Sequence, residues 1–288
     1  LKGGSDSASP RYIFTKLEDI TRIIYNKNDF PLLDYIDDEG QLIEPVWYVP
    51  IIPMILVNGA EGIGTGYSCK IPNYNPKDII ENIKRKIAGK KAKDMIPWYK
   101  GFKGTIKKNA DGDGYMTEGI YKIIDKEKTT IEITELPVKT WTDKYVEYLD
   151  GLIYNKKEPK KDFGGKTAKI DVSRTSSRNQ IVKSYDKYNS DTEVRFVITL
   201  MKPFKDSDLA LLKLNGKINT SNMFMYNANN VIKKYDNVVE IIDDFYDVRL
   251  DFYKKRKKYL LNEMEKEMLE LSNKAKFVLG IVNGDIIV

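Results

Sequence analysis

Asn237-Val238-Val239-Glu240-Ile241-Ile242-Asp243-Asp244-Phe245 opens a run of 43 residues, 237–279, that contains neither Pro nor Gly. Along it Val238, Ile241, Ile242, Phe245, Val248, Phe252, Tyr259, Leu260, Met264, Met268, Leu271, Ala275 and Val278 keep an apolar stripe at helical spacing. At about 1.5 Å per residue such a helix spans about 65 Å. That is more than one globular core needs, so the spacing predicts a coiled coil or a projecting arm. Gly280 and Gly284 are expected to stop it, and the apolar ending 284–288 suggests that a further element follows.

Upstream of this helix the pattern is extended. Residues 103–107, 115–124 and 129–135 read as strands, the last alternating Ile131 and Ile133 with Glu132 and Glu135, and 125–128 as a hairpin turn. Residues 141–153 read as a helix and 192–200 as another alternating strand. Between them, 155–189 is polar and without a persistent period, which predicts a loop or linker. Residues 98–235 are thus expected to form a mixed α/β module.

Residues 1–97 read as a separate, more compact module. Pro10 suits the first turn of a helix, and Ile13, Leu17, Ile20, Ile24 and Tyr25 continue helical spacing over 11–25. Residues 37–40 read as an acidic turn, and Pro45, Pro50 and Pro53 exclude a long helix before 54–57. A glycine-rich turn covers 58–66. Pro76 then opens a helix with Ile79, Ile80, Ile83 and Ile87 as its core face, closed by Gly89.

The 288 residues carry 48 Lys plus Arg against 42 Asp plus Glu, a formal charge of +6, with 40 Lys to 8 Arg. The charge is uneven. Residues 11–61 have four basic and nine acidic groups, whereas 76–109 have eleven against three and 155–189 ten against four. Such Lys-rich stretches attract phosphate backbones, although solvated loops of a Lys-rich chain look the same.

With no His, the chain is excluded from Ser-His-Asp and Cys-His catalysis, His-containing zinc sites and imidazole bases. The single Cys69 rules out an intrachain disulfide and fits a reducing compartment. No apolar run reaches the length of a membrane span, so no membrane partner is expected.

What chemistry remains falls to carboxylates, Tyr, Lys, Arg and backbone amides. Arg11-Tyr12 sets a guanidinium beside a phenol near a helix start. A deprotonated Tyr oxygen can attack phosphorus, and Arg supplies planar donors to the developing charge. Taken alone, Tyr12 is one of 19 tyrosines and Arg11 a surface cation. Gly62, Gly64 and Gly66 lack both the Gly-Lys-Ser/Thr ending of a phosphate loop and the G-x-G-x-x-G spacing, so a tight turn accounts for them better than a nucleotide site. Ile63 within that turn is either tucked beneath it or exposed as a wedge for a base stack, and the residues alone favour the tucked state. Neither 37–39 nor 111–114 composes a complete metal site.

Ser7-Ala8-Ser9-Pro10-Arg11-Tyr12-Ile13-Phe14-Thr15, Glu44-Pro45 with Trp47-Tyr48-Val49-Pro50-Ile51-Ile52-Pro53-Met54, and Val57-Asn58-Gly59-Ala60-Glu61-Gly62-Ile63-Gly64-Thr65-Gly66 closely resemble the breakage and rejoining core of eukaryotic-type type IIA DNA topoisomerases. The likeness continues through Lys70-Ile71-Pro72-Asn73-Tyr74, Tyr99-Lys100-Gly101-Phe102-Lys103-Gly104-Thr105-Ile106, Ile131-Glu132-Ile133-Thr134-Glu135-Leu136-Pro137, Lys233-Lys234-Tyr235-Asp236 and 277–288. Only the polar middle falls outside it.

The resemblance implies that Tyr12 becomes linked to a 5′ phosphate, that Arg11 steadies the scissile phosphate, and that Ile63 enters the base stack and bends the DNA. Lys70, Lys100 and Lys103 are then expected on the DNA backbone. It implies a partial winged-helix domain over 1–97, a tower domain over 98–235 with a polar insertion at 155–189, and the first part of a coiled-coil arm over 236–288. It further implies double-stranded DNA as partner, a nuclear homodimer, and Mg2+ and ATP bound by an upstream metal-holding domain and ATPase module outside this chain. Ser5 stands where the family usually has Lys, Val46 where it has an acidic residue, and Tyr67 where it has Trp. The alternative is a DNA-binding or coiled-coil structural protein without chemistry.

Overall fold

The computed structural model describes residues 9–109, 112, 114–153 and 181–287. A 3-10 turn at Pro10–Tyr12 leads through irregular chain to α1, Asp19–Ile24, and a second 3-10 segment, Lys27–Leu32. The expected helix over 11–25 is therefore only its last third. Ile13, Leu17 and Ile20 are exposed, so the apolar spacing finds no surface to bury against, and short helices without packing are marginal. The hairpin of β1, Tyr35–Asp38, and β2, Gln41–Pro45, turns through Glu39 and Gly40, where the Asp37 carboxylate accepts the Gly40 amide at 2.7 Å.

The first core gathers residues far apart in sequence. α2, Met54–Asn58, leads into the antiparallel pair β3, Ala60–Ile63, and β4, Ser68–Ile71, and then into α3, Pro76–Ile87. β4 also pairs with β12, Met223–Tyr226, which pairs with β13, Ile232–Tyr235, giving the order β13-β12-β4-β3. Leu56, Ile71, Tyr74, Ile79 and Met95 are buried here against Met223, Tyr235, Ile241 and Ile242. Residues 223–235, expected with the second module, thus complete the sheet of the first. Of the four isoleucines expected on the core face of α3, Ile79 is buried while Ile80 and Ile87 are exposed, and buried Asn82 takes a place on that face.

The middle of the chain builds two further sheets. β7, Ile120–Ile123, β8, Thr130–Glu135, β9, Val182–Lys187, and β10, Phe196–Leu200, run in the order β7-β8-β10-β9. α4, Thr142–Ile153, covers this sheet through Tyr145 and Leu149, packed with Ile131, Ile133, Phe196 and Ile198. β5, Thr105–Lys108, β6, Tyr115–Glu118, and β11, Asn215–Ile218, form the other, ordered β11-β6-β5, with α5, Asp208–Leu211, preceding β11.

The single strand expected over 115–124 is therefore two, in different sheets. They separate at Gly119, where a Cβ would lie 2.3 Å from the Glu135 carbonyl oxygen. The expected turn at 125–128 does join β7 to β8. It is closed by the Asp125 carboxylate, which accepts the Thr129 amide, the Thr129 hydroxyl and the Thr130 amide. Within the stretch read as linker, β9 is an edge strand. Residues 155–180 of it lie outside the described residues.

The final element is α6, Val238–Val282, 45 residues long and capped by Asn237, whose side chain accepts the Glu240 amide at 3.0 Å. It runs through Gly280 rather than stopping there. Ile286 folds back onto Gly280, its amide donating to the Gly280 carbonyl at 3.0 Å, in space that a side chain at 280 would fill. The first turns are buried through Ile241, Ile242, Arg249 and Phe252, whereas Met264, Met268, Leu271 and Val278 are exposed. At its root Arg249 Nη1 donates to Asp29 Oδ2 at 2.7 Å and to the Val49 carbonyl, and Arg256 Nε donates to Asp29 Oδ1 at 2.7 Å.

Candidate nucleic-acid interface

The β3–β4 hairpin reverses through Gly64-Thr65-Gly66-Tyr67, with the Gly64 amide donating to the Tyr67 carbonyl at 2.9 Å. The Tyr67 ring lies across the turn so closely that a Cβ on Gly64 would meet it at 2.6 Å. This leaves no room beneath the turn for a neighbouring apolar side chain. Ile63 points outward and is 94% exposed. The tucked state favoured by the residues alone is corrected: the space is filled by Tyr67, which packs toward Phe224 of β12. A fully exposed isoleucine at a rigid tip is the shape of a wedge.

Charges flank this tip. Glu61, two residues before Ile63, pairs with Lys139 and lies 3.9 Å from Lys70. The Lys139 hydrogen bond holds the Glu61 carboxyl below its ordinary range, outweighing a small desolvation in the opposite sense. Lys70 is thus next to the hairpin, partly covered and partly neutralised. Its amide donates to the Asn222 carbonyl at 2.7 Å, which ties the hairpin to the chain entering β12.

Lys139 was not singled out by its sequence context. Its backbone takes a φ of +69°, so the turn after Pro137 is what aims it at Glu61. No local pattern announces that conformation.

Lys100 and Lys103 come together elsewhere on the same surface. Tyr99–Phe102 forms a turn closed by the Phe102 amide on the Tyr99 carbonyl, and both lysines are exposed. They line a cleft of about 610 Å³ whose other walls include Leu136, Lys139, Trp141 and Arg195. Lys139 therefore links the cleft to the Ile63 hairpin. The Lys103 amide donates to Glu135 at 3.3 Å, fixing the cleft's rim.

Tyr12 and Arg11 stand apart from this framework. Tyr12 is 75% exposed, Arg11 is exposed, and the local order is a single backbone bond from the Tyr12 amide to the Ser9 carbonyl. Among the described residues neither side chain forms a hydrogen bond or ion pair with the protein. Both are free to meet a ligand. Among the described residues no three Asp, Glu or Cys groups gather to hold a metal ion, and no helix is long and apolar enough to cross a membrane.

The family model for the A-subunit of DNA gyrase/topoisomerase IV matches residues 1–287. DNA topoisomerase 2 of Arabidopsis thaliana is 43% identical over 294 residues, covering 99% of this chain and 18% of that protein. DNA topoisomerase 2 of Plasmodium falciparum is 42% identical over 292 residues, covering 100% and 19%. The mimivirus DNA topoisomerase 2 is 40% identical, covering 100% and 26%. The chain thus spans about a fifth of the cellular relatives' length. A crystal structure of the Plasmodium falciparum topoisomerase II DNA-binding, cleavage and re-ligation domain superimposes with a TM-score of 0.82 at 43% identity, over 100% of this chain and 37% of that one.

Proposed function

The chain belongs to the family of DNA gyrase/topoisomerase IV A-subunits, and we propose that it is the DNA cleavage and religation segment of an ATP-dependent type II DNA topoisomerase. The observation that carries this reading is the pairing of an end-to-end family match with an exposed Arg11-Tyr12 pair whose side chains bond to no other group among the described residues. In this reading 1–97, completed by β12 and β13, is part of a winged-helix domain, the rest of 98–235 a tower domain and 236–288 the start of a coiled-coil arm. The comparisons do not favour a non-catalytic structural protein.

Tyr12 is the nucleophile. Its oxygen bonds to the scissile phosphorus, the bond from phosphorus to the 3′ oxygen breaks, and the phenolic proton ends on that oxygen, giving a free 3′ hydroxyl. One phosphodiester has been exchanged for another, so the 5′-phosphotyrosyl link keeps the energy needed to reseal the strand. Attack by the 3′ hydroxyl reverses the step and restores Tyr12. Arg11 steadies the charge that builds on the phosphoryl oxygens.

Ile63 enters the base stack and holds the duplex bent, and Lys70, Lys100 and Lys103 bind its phosphates. Magnesium and ATP would bind other parts of the full-length protein. The working enzyme is proposed to be a nuclear homodimer acting on double-stranded DNA.

Trapping with denaturant tests the assignment. The full-length protein, given duplex, magnesium and ATP, should yield a covalent adduct whose nuclease-trimmed peptide carries the nucleotide on Tyr12. Absence of an adduct, or attachment to a different tyrosine, overturns it.

A further inference from the structure

α3 ends in a surface built from both the helix and the chain that leaves it. The Gly89 amide donates to the Lys86 carbonyl and the Lys90 amide to the Arg85 carbonyl, the two closing bonds of a Schellman motif. The exit strand is then held against the helix by side chains. Buried Asn82 donates to the Lys93 carbonyl at 3.1 Å and accepts the Lys93 amide at 2.7 Å, and Arg85 Nε donates to the Lys91 carbonyl at 2.7 Å. Residues 84–93 are therefore a fixed platform and not a loose tail.

Between 84 and 93 there are six basic residues and no acidic one. Lys86 is used internally, paired with Asp243 and set over the Tyr246 ring, and Lys93 lies 3.8 Å from Glu81. Lys84, Arg85, Lys90 and Lys91 meet no carboxylate within ion-pairing distance among the described residues. Lys84, Lys90 and Lys91 are exposed. Stabilisation of a helix C-terminus by cations explains Lys84 and Arg85, but it fades within the last turn. It does not reach Lys90 and Lys91.

A short stretch of chain joins the platform to the cleft that holds Lys100 and Lys139. Seven residues separate Lys93 from Lys100, a path of at most about 25 Å, or about seven base pairs at about 3.4 Å each. Lys100 lines the same cleft as Lys139, which reaches Glu61 beside Ile63. We propose that Lys84, Arg85, Lys90 and Lys91 form a second phosphate-binding surface that holds the flank of the duplex that Ile63 bends. The inference rests on the DNA-binding reading above.

The test compares a short duplex of about 16 base pairs with one of about 40, both carrying the same central site, a spread set by the path length above. Lys84→Gln, Lys90→Gln and Lys91→Gln are combined in the whole protein; among the described residues none takes part in an internal bond through its side chain. Affinity for the long duplex should fall about ten-fold and its salt slope by about 2 to 3, while the short duplex changes less than about two-fold. The triple Lys→Arg variant should behave as the parent. A control removing equal charge on α6, Lys254→Gln with Lys257→Gln and Lys276→Gln, should spare long-duplex affinity.

Equal loss on both lengths, no loss on either, or equal loss in the control overturns the flank surface. If the triple Gln variant melts early, the Lys→Arg variant and the parent's salt slopes on the two lengths decide: equal slopes overturn it. A parent protein that binds neither duplex refutes the DNA-binding reading itself, a result distinct from any of these.

Discussion

Around Ile63 the backbone is held by four register pairs, from Ala60 opposite Ile71 to Ile63 opposite Ser68, and braced by Asn222 and the Lys139–Glu61–Lys70 cluster. Around Tyr12 there is one backbone bond, and Ile13, Phe14 and Leu17 beyond it are exposed. The two proposed DNA-contacting elements are thus built to different stiffness. A wedge must hold its shape against base stacking, so it is anchored in a sheet. A nucleophile has to approach, bond and withdraw, and its segment is held only from Ile24 onward, where the Ile51 amide donates to the Ile24 carbonyl, and at Asp29.

The largest expected effect falls on the soft side of this contrast. Tyr12→Phe in the full-length enzyme should abolish the covalent adduct in a denaturing gel and leave DNA affinity within about a few fold, because phosphate contacts dominate binding. A persisting adduct would remove Tyr12 from the reaction and with it the reason for a turn held by so few bonds.

Next comes the anchor downstream of that turn. Asp29→Ala leaves Arg249 and Arg256 facing one another in a buried site, where Asp29 and Arg249 are 2% and 3% exposed. Loss of one partner of a buried pair costs about 3 to 5 kcal/mol, which denaturant unfolding will measure. A loss below about 1 kcal/mol, the range of a surface pair, would show that the anchor lies elsewhere.

On the stiff side, Ile63→Ala should reduce bending more than binding. Separating a base step costs about a few kcal/mol, and Ala is too small to hold the step open. Energy transfer between dyes at the ends of a short duplex should report a straighter path. An unchanged bend would give the wedge role to another residue.

The smallest effect concerns Asp125, which closes the β7–β8 turn. Its hydrogen bond from Thr129, with the Thr129 and Thr130 amides, holds the carboxyl below its ordinary value. A depressed folded value contributes stability that is present above the unfolded value of about 3.9 and is lost as pH falls through the folded one. Asp125 should therefore be the late-titrating carboxylate of this turn in an acid NMR titration. Titration at the ordinary value would mean that the turn opens in solution.

Elements legible in the sequence are those whose cause is local. α3 follows from Pro76, its Asn75 cap and Gly89, the β7–β8 turn from Asp125, and α6 from a long stripe without breakers. The errors share another origin. Ile63 is turned outward by Tyr67, the strand expected over 115–124 is divided by the carbonyl of Glu135, and β12–β13 are claimed by β4 from about 150 residues away in sequence (223 minus 69 at the Met223–Cys69 pair). Glu135 and β4 lie outside the local window of the elements they divide or claim, and Tyr67, though only four residues from Ile63, covers Gly64 because the turn folds its ring back. The candidate residues Arg11, Tyr12 and Ile63 were legible through motif resemblance, whereas Lys139 and the α3 platform required the folded backbone.

The Asp29 clamp on α6 has a mechanical meaning. From Arg249 to Val282 the helix extends 33 residues, about 50 Å at about 1.5 Å each. A change of about 10° in its direction at the root would displace the far end by about 9 Å, so the Asp29 ion pairs, placed where the buried turns give way to exposed ones, have leverage over where the exposed length points.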